Sequence, residues 1–233
     1  MEKGALSFVY FFWASKEIDR HKNVQIINLN KREMILLNIS NLKAEGMEKP
    51  ISWQVNAGEL WLLYGPSGTG KSQLLKALAD LIPAEGEVAL LDRPVDSMPA
   101  PVWRRQVMYF SAETAWWLET VAEHFLTPPT AQQLQAIGLE TEILQQHPDQ
   151  LSSGEKQRLA LLRGLSFAPK VLLLDEISAN LDPKSTEQVE SLLQDYLQSK
   201  ADRAAIWISH DIAQRERLAC PTFCCSIEDL YSE

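Results

Sequence analysis

The chain has 233 residues, 45% hydrophobic and 23% charged, enough for one sizeable globular domain or a core with a small subdomain. A net charge of −9 and a pI near 5.0 argue against sequence-independent DNA or RNA binding, which relies on lysine and arginine to neutralise phosphates. Three cysteines, all between Cys220 and Cys225, make no disulfide framework and fit a reducing compartment, and no apolar run is long enough to cross a bilayer.

Residues 1–33 differ from the rest. Leu6 to Ala14 is apolar and aromatic, and a mixed charged segment follows from Lys16 to Glu33. No small-residue cleavage site supports a signal peptide. The segment reads as a dispensable extension, with Met34 as an alternative start; a membrane-surface anchor and a packed N-terminal element are the other readings. From Met34 to Trp61 the pattern suggests strands broken by a polar turn at Lys43–Pro50, and Ile51–Val55 alternates like a half-buried strand.

Glu59–Tyr64 then reads as a buried strand that runs into Gly65-Pro66-Ser67-Gly68-Thr69-Gly70-Lys71-Ser72. This fits G-x-x-x-x-G-K-[ST] at every constrained position, and Gln73–Ala79 continues with helical apolar spacing. Strand, glycine loop and helix make a phosphate cradle. Glycines let successive N–H groups point inward, and the helix N-terminus adds its positive dipole end. Lys71 is placed to reach the β- and γ-phosphates and Ser72 to offer a hydroxyl to Mg²⁺, so the loop predicts a nucleoside triphosphate ligand. A glycine turn that merely precedes a lysine is the bland alternative.

Further on, Glu87–Leu91 resumes as strand, Pro94, Pro99 and Pro101 mark an irregular connection, and Arg105–Phe110 is expected to be a short strand. Trp116–Gln150 is Gln-rich and helix-prone, interrupted by Pro128-Pro129, and is expected to form an inserted helical subdomain over about 99–164. Val171–Leu174 and Ala205–Ile208 are continuous apolar runs, as in parallel strands buried on both faces. The expected fold is α/β: a P-loop NTPase core with a mainly parallel sheet, an antiparallel N-terminal β part and the helical insertion.

Asp175-Glu176 closes the first of those runs. At the carboxyl end of a strand, Asp175 is suited to hold Mg²⁺ and Glu176 to polarise a water that attacks the γ-phosphate; two acids capping a turn are the plainer reading. Leu151-Ser152-Ser153-Gly154-Glu155-Lys156-Gln157-Arg158 precedes it, and Ser178-Ala179-Asn180-Leu181-Asp182 and Ser209-His210 follow.

Taken in this order, these motifs resemble those of ABC-type ATPases over residues 34 to about 230. The stretch Leu151–Asp182 looks most like bacterial subunits paired with a small permease in iron or metal-ion export. The resemblance implies an ATP-hydrolysing subunit that uses ATP and Mg²⁺, forms a homodimer, works on a separate integral membrane permease and binds no nucleic acid. It further implies a cytoplasmic location on the inner face of the cell membrane. It carries Ser152, Ser153, Gly154 and Glu155 over as the signature that meets the γ-phosphate of the opposite subunit. Asp182 becomes a contact between the two sites, and His210 a γ-phosphate ligand. Ser152 as an ordinary N-cap and His210 as a structural strand-end residue are the bland counterparts.

Departures are visible. The family's glutamine after the strand Val107–Phe110 is replaced in Ser111-Ala112-Glu113, Ser153 replaces a glycine, and Leu42 is nearest to the place of an adenine-stacking aromatic. A soluble ABC-type regulatory ATPase with low turnover is therefore the alternative; an ABC protein acting on ribosomes or DNA is a third class, but the chain has neither a second cassette nor a long coiled coil. Trp116, Trp117 and Phe125 fall where such ATPases meet a permease, and read equally as interface anchors or as internal packing. Cys220, Cys224 and Cys225 read as small apolar residues of a last strand rather than a metal site.

Overall fold

A computed structural model describes residues 34–218 and 223–231; the N-terminal extension over 1–33 and Cys220 lie outside them. Strand β1 (Ile35–Ala44) and strand β2 (Ile51–Asn56) form an antiparallel pair, and β2 alternates buried and exposed residues as its sequence suggests. Strand β3 (Leu60–Tyr64) leads through the glycine loop into helix α1 (Lys71–Leu78). Strands β4 (Ala84–Leu90) and β5 (Arg93–Pro94) return to the antiparallel sheet, whose order is β2-β1-β4-β5.

Helix α2 (Ala100–Gln106) precedes strand β6 (Val107–Ser111). The strand expected over Arg105–Phe110 therefore starts two residues late. Pro101 sits in the first turn of α2, where its missing N–H costs nothing, and the buried Trp103 indole donates to the Leu78 carbonyl at 2.9 Å, tying the helix to the end of α1.

The stretch Trp116–Gln150 is far less helical than its composition suggests. It contains one short α-helix, α3 (Ala131–Ala136), among three single 3₁₀ turns. Thr130 and Gln133 close a capping box at the start of α3, and Gly138 at φ +67° ends it. Helix α4 (Ser153–Leu165), strand β7 (Val171–Asp175), helix α5 (Pro183–Gln198), strand β8 (Ala204–Ile208), helix α6 (Ile212–Arg217) and strand β9 (Phe223–Ser226) complete the described chain.

The second sheet has the order β6-β7-β8-β3-β9, with every neighbouring pair parallel. All five residues of β7 and of β8 are buried, so both faces need covers. Alternate residues supply them. Val171, Leu173 and Ile206 pack with α1 and the antiparallel sheet, whereas Leu172, Leu174 and Trp207 pack with Leu161 of α4 and Val189 and Leu193 of α5. A third cluster joins Val121, Leu134, Ile137 and Ile143 to Leu159 and Leu162 of α4. Along its other side α4 lies close on β6. A Cβ at Gly164 would stand 2.2 Å from the Phe110 ring, and the buried Gln157 amide donates to the Ser111 carbonyl at 2.9 Å.

This strand order brings the carboxyl ends of β3, β8 and β7 side by side. The glycine loop, His210 and Asp175-Glu176 follow these three ends in turn, so three distant stretches of sequence open onto one place.

Candidate nucleotide site

The phosphate loop owes its shape to three glycines with positive φ: Gly65 (+137°), Gly68 (+81°) and Gly70 (+90°). Gly70 is fixed twice over, because a Cβ there would also lie 2.8 Å from the Gly46 carbonyl oxygen. Gly70 is the N-cap of α1 and has no side chain to occupy the first N–H groups of the helix, which stay available to an anion. Pro66 and Ser67 stand exposed at the loop's crest, and Thr69 donates its hydroxyl to the Pro66 carbonyl at 2.9 Å. Lys71, 5% exposed, donates through Nζ to the carbonyls of Gly65 (2.9 Å) and Pro66 (2.6 Å). Burial lowers its pKa, and the charges of Glu176 and Asp175 oppose that shift.

Asp175, 8% exposed at the end of β7, has both carboxylate oxygens engaged. Ser72 Oγ donates to Oδ1 at 3.0 Å, and Tyr109 Oη, from β6, donates to Oδ2 at 2.6 Å. Burial first, and then the bond to Asp175, push the Tyr109 phenol well above its ordinary value, so it remains a proton donor. The hydroxyl and carboxylate oxygens of Ser72 and Asp175 form a hard donor pair that suits Mg²⁺, an ion that takes one or two carboxylates together with substrate phosphates.

Glu176 leaves β7 in the left-handed region at φ +52°, a strained conformation for a side chain of this size and one that collects at functional sites. Its N–H donates to the Ile208 carbonyl at 3.2 Å, and its Oε1 lies 3.1 Å from His210 Nε2. A cavity of about 470 Å³ opens beside this pair, lined in part by Ser178, Leu181, Asp211 and Arg217. Under it the buried Gln214 carbonyl accepts from Ser178 Oγ at 3.4 Å and also from Ser209 Oγ, tying together the segments that follow Glu176 and precede His210.

The structure therefore brings together the phosphate loop, Ser72, Asp175, Glu176 and His210. The signature residues are elsewhere. Ser152 caps α4 in a reciprocal box with Glu155: the Glu155 N–H donates to Ser152 Oγ at 3.3 Å, and the Ser152 N–H donates to Glu155 Oε2 at 2.8 Å. Ser153 opens the helix, and Gly154 lies against Leu181 and Asn180. Asp182 caps α5, accepting from the Ser185 N–H (3.1 Å) and hydroxyl (2.6 Å), which hold its carboxyl below the usual aspartate value. Among the described residues, no hydrogen bond or ion pair joins Ser152–Glu155 or Asp182 to the phosphate loop.

Leu42 is 2% exposed within the core, so it presents no face to a base. Beyond β6, Ala112 brings no polar side chain, and Glu113 is exposed, its N–H donating to Ser111 Oγ at 3.2 Å. The aromatic trio divides: Phe125 is buried in the third cluster and Trp116 packs against it, whereas Trp117 is 69% exposed. His124 shapes that loop. Its Nε2 accepts from the N–H groups of Trp117 (2.8 Å) and Leu118 (3.0 Å), and Arg163 sits over the Trp116 and Trp117 rings. Cys224 and Cys225 lie in β9, the first exposed and the second buried. Tyr109 escapes sequence reading because its partner appears only once the strands are aligned, and His124 and Gln214 because their bonds are to loop N–H groups and hydroxyls that no motif marks.

Comparison with known proteins accounts for this arrangement. The model of the family described as ABC transporter matches residues 49–179. The chain belongs to the ABC transporter family. It is an ATP-binding subunit of that family, and its domain is an ATP hydrolase. A probable iron export ATP-binding protein, FetA of Escherichia coli (strain K12), is 35% identical over 173 residues, covering 69% of this chain and 76% of the relative. The phosphate import ATP-binding protein PstB of Aeropyrum pernix is 32% identical over 196 residues, covering 73% of this chain and 77% of the relative. The chain spans about half the length of several other import ATPases that it matches. Among solved structures, the ATP-binding cassette MJ0796 bound to ADP and Pi superposes with a TM-score of 0.62 at 22% identity, over 76% of this chain and 89% of that one, which supports the fold.

Proposed function

We propose that the chain hydrolyses Mg²⁺–ATP as one half of a homodimer that drives a separate membrane permease, with iron or another metal ion as cargo. The observation that carries the catalytic reading is the Glu176–His210 pair, 3.1 Å apart beside Lys71 and the Ser72–Asp175 oxygens. Lys71 and the free N–H groups of Gly65–Ser72 bind the β- and γ-phosphates. Ser72 and Asp175 hold Mg²⁺, which neutralises phosphate charge when bound. Glu176 accepts the proton of the attacking water, and His210, now its partner, turns to the γ-phosphate. Ser152, Ser153, Gly154 and Glu155 serve the site of the second copy, an assignment supported by a helix N-terminus with Ser152 and Ser153 exposed, whose capping bonds stay between Ser152 and Glu155 among the described residues. Asp182 stands at the same surface.

Residues 34–233 are read as the ATPase domain, with the helical subdomain expected over 99–164 confined to the stretch after β6, since β6 belongs to the core sheet, and 1–33 as an extension dispensable for hydrolysis. Exposed Trp117 and Leu126 on the helical part suit a permease anchor. No helix among the described residues is long and apolar enough to cross a membrane, which fits a peripheral subunit on the cytoplasmic face. The cargo reading rests on the Escherichia coli relative.

Replacing Glu176 by Gln tests the proposal. Hydrolysis should fall by about 10²–10⁴-fold, the range for loss of a general base, with ATP still bound. In cells, the same variant should change iron content as much as deletion of the chain does. Unchanged turnover removes the catalytic assignment; unchanged iron removes the cargo. Ala112, which brings no amide to the site, favours a second reading as a low-turnover regulator. That reading gains if the wild type binds ATP yet stays inactive with its membrane partner present.

A further inference from the structure

Tyr109 has no assigned part in nucleotide chemistry, yet its hydroxyl makes one of the shortest polar contacts of the site, 2.6 Å to Asp175 Oδ2. The contact crosses from β6 to β7 and spans 66 residues of sequence. It is geometrically determined. Ser111 pairs with Asp175 and Tyr109 with Leu173 in the parallel register, so the Tyr109 side chain runs forward along the strand to the carboxylate one pleat ahead. The ring is partly buried against the cluster that contains α1 and cannot swing away freely.

The two oxygens of Asp175 then play unequal parts. Oδ1 faces Ser72, whose hydroxyl can rotate and turn its lone pairs elsewhere. Oδ2 is held by a phenol fixed in the sheet. We infer that Tyr109 is a positioning residue for metal binding: by holding Oδ2, it fixes the carboxylate plane so that Oδ1 stays directed at Ser72 and the phosphate loop. Outer-sphere donors of this kind orient metal-binding carboxylates, and their removal costs about 10–100-fold in metal affinity. Ser72 and Tyr109 are the side chains that hydrogen-bond Asp175 among the described residues; beyond them Ala112 is apolar, and Glu113 is exposed and donates its N–H to Ser111.

The inference rests on the reading of Asp175 as a Mg²⁺ ligand, and the experiment separates the two. Binding of a non-hydrolysable ATP analogue to the full chain is measured by calorimetry in EDTA and across a Mg²⁺ series, for wild type, Tyr109→Phe and Asp175→Asn. Tyr109→Phe keeps the packed ring and removes only the donor. Its affinity in EDTA should match wild type within about twofold, the phosphate loop being intact, whereas the Mg²⁺ concentration for half of the metal-dependent gain should rise by about 10-fold. An unshifted Mg²⁺ curve for Tyr109→Phe, with a shifted one for Asp175→Asn, overturns the role of Tyr109 and leaves the metal site standing. Equal losses in EDTA and in Mg²⁺ overturn it too, as the mark of a purely structural residue. An unshifted curve for Asp175→Asn removes the metal site and the inference with it.

Discussion

Beside the phosphate loop, Asp175 is held by partners from distant parts of the chain, with Ser72 and Asp175 103 residues apart and Tyr109 and Asp175 66 apart. From Ser152 to Glu155 polar groups are satisfied by neighbours three residues away. Both regions are helix N-termini with an affinity for anions. The first exists only when the sheet has formed, because its geometry is a product of strand order, and it is complete in one chain. The second is assembled by a four-residue capping box, and among the described residues no hydrogen bond joins it to the phosphate loop. On the function proposed above, half of a nucleotide site is built by folding while the other half is offered to a second copy.

Lys71→Ala attacks the folded half and should have the largest effect. Truncating one partner of a buried, hydrogen-bonded charge costs about 2–5 kcal/mol, so ATP affinity in equilibrium dialysis should drop by at least roughly 30-fold. Ser152→Ala attacks the offered half. It should leave binding to an isolated copy unchanged but slow steady-state turnover by about 10-fold or more, since a hydrogen bond to a charged group contributes about 1.5–3 kcal/mol. A binding defect in the monomer breaks the comparison. The smallest effect is expected for Gly164→Ala, which touches the seam between α4 and β6. Overpacking against Phe110 costs about 1–3 kcal/mol, and the better helix propensity of alanine offsets up to about 1 kcal/mol of it. The melting temperature should fall by a few degrees, with turnover near wild type at low temperature.

The sequence made one of these halves far easier to read than its surroundings. The phosphate loop is legible because backbone shape demands glycine at fixed spacing, and β7 and β8 because strands covered on both faces must be apolar throughout. Asp175 and Glu176 are legible as acids that end such a strand. The start of β6 was less so. Arg105 and Gln106 are good helix formers and stay in α2, which the Trp103 indole bond to the Leu78 carbonyl ties in place. The Gln-rich stretch up to Gln150 carries helix-forming residues, yet Pro128, Pro129, Gly138 and Pro148 cut it into pieces too short to propagate. Leu42 illustrates a different limit, because its place in the sequence says nothing of which face of β1 it lies on. Contacts such as Tyr109–Asp175 belong to register, which no local pattern encodes.

The close seat of α4 on β6 has a mechanical consequence. Gly164 leaves no gap at Phe110, and Gln157 clamps the strand's last carbonyl, so helix and strand meet without slack. The helix carries Ser152 at its free end, and the strand carries Tyr109 two residues before that clamped carbonyl. Helix and strand share one joint between the exposed end of α4 and the strand beside Asp175. The connection between the signature end and the nucleotide site is thus a helix thirteen residues long, seated on the strand at a position with no side chain.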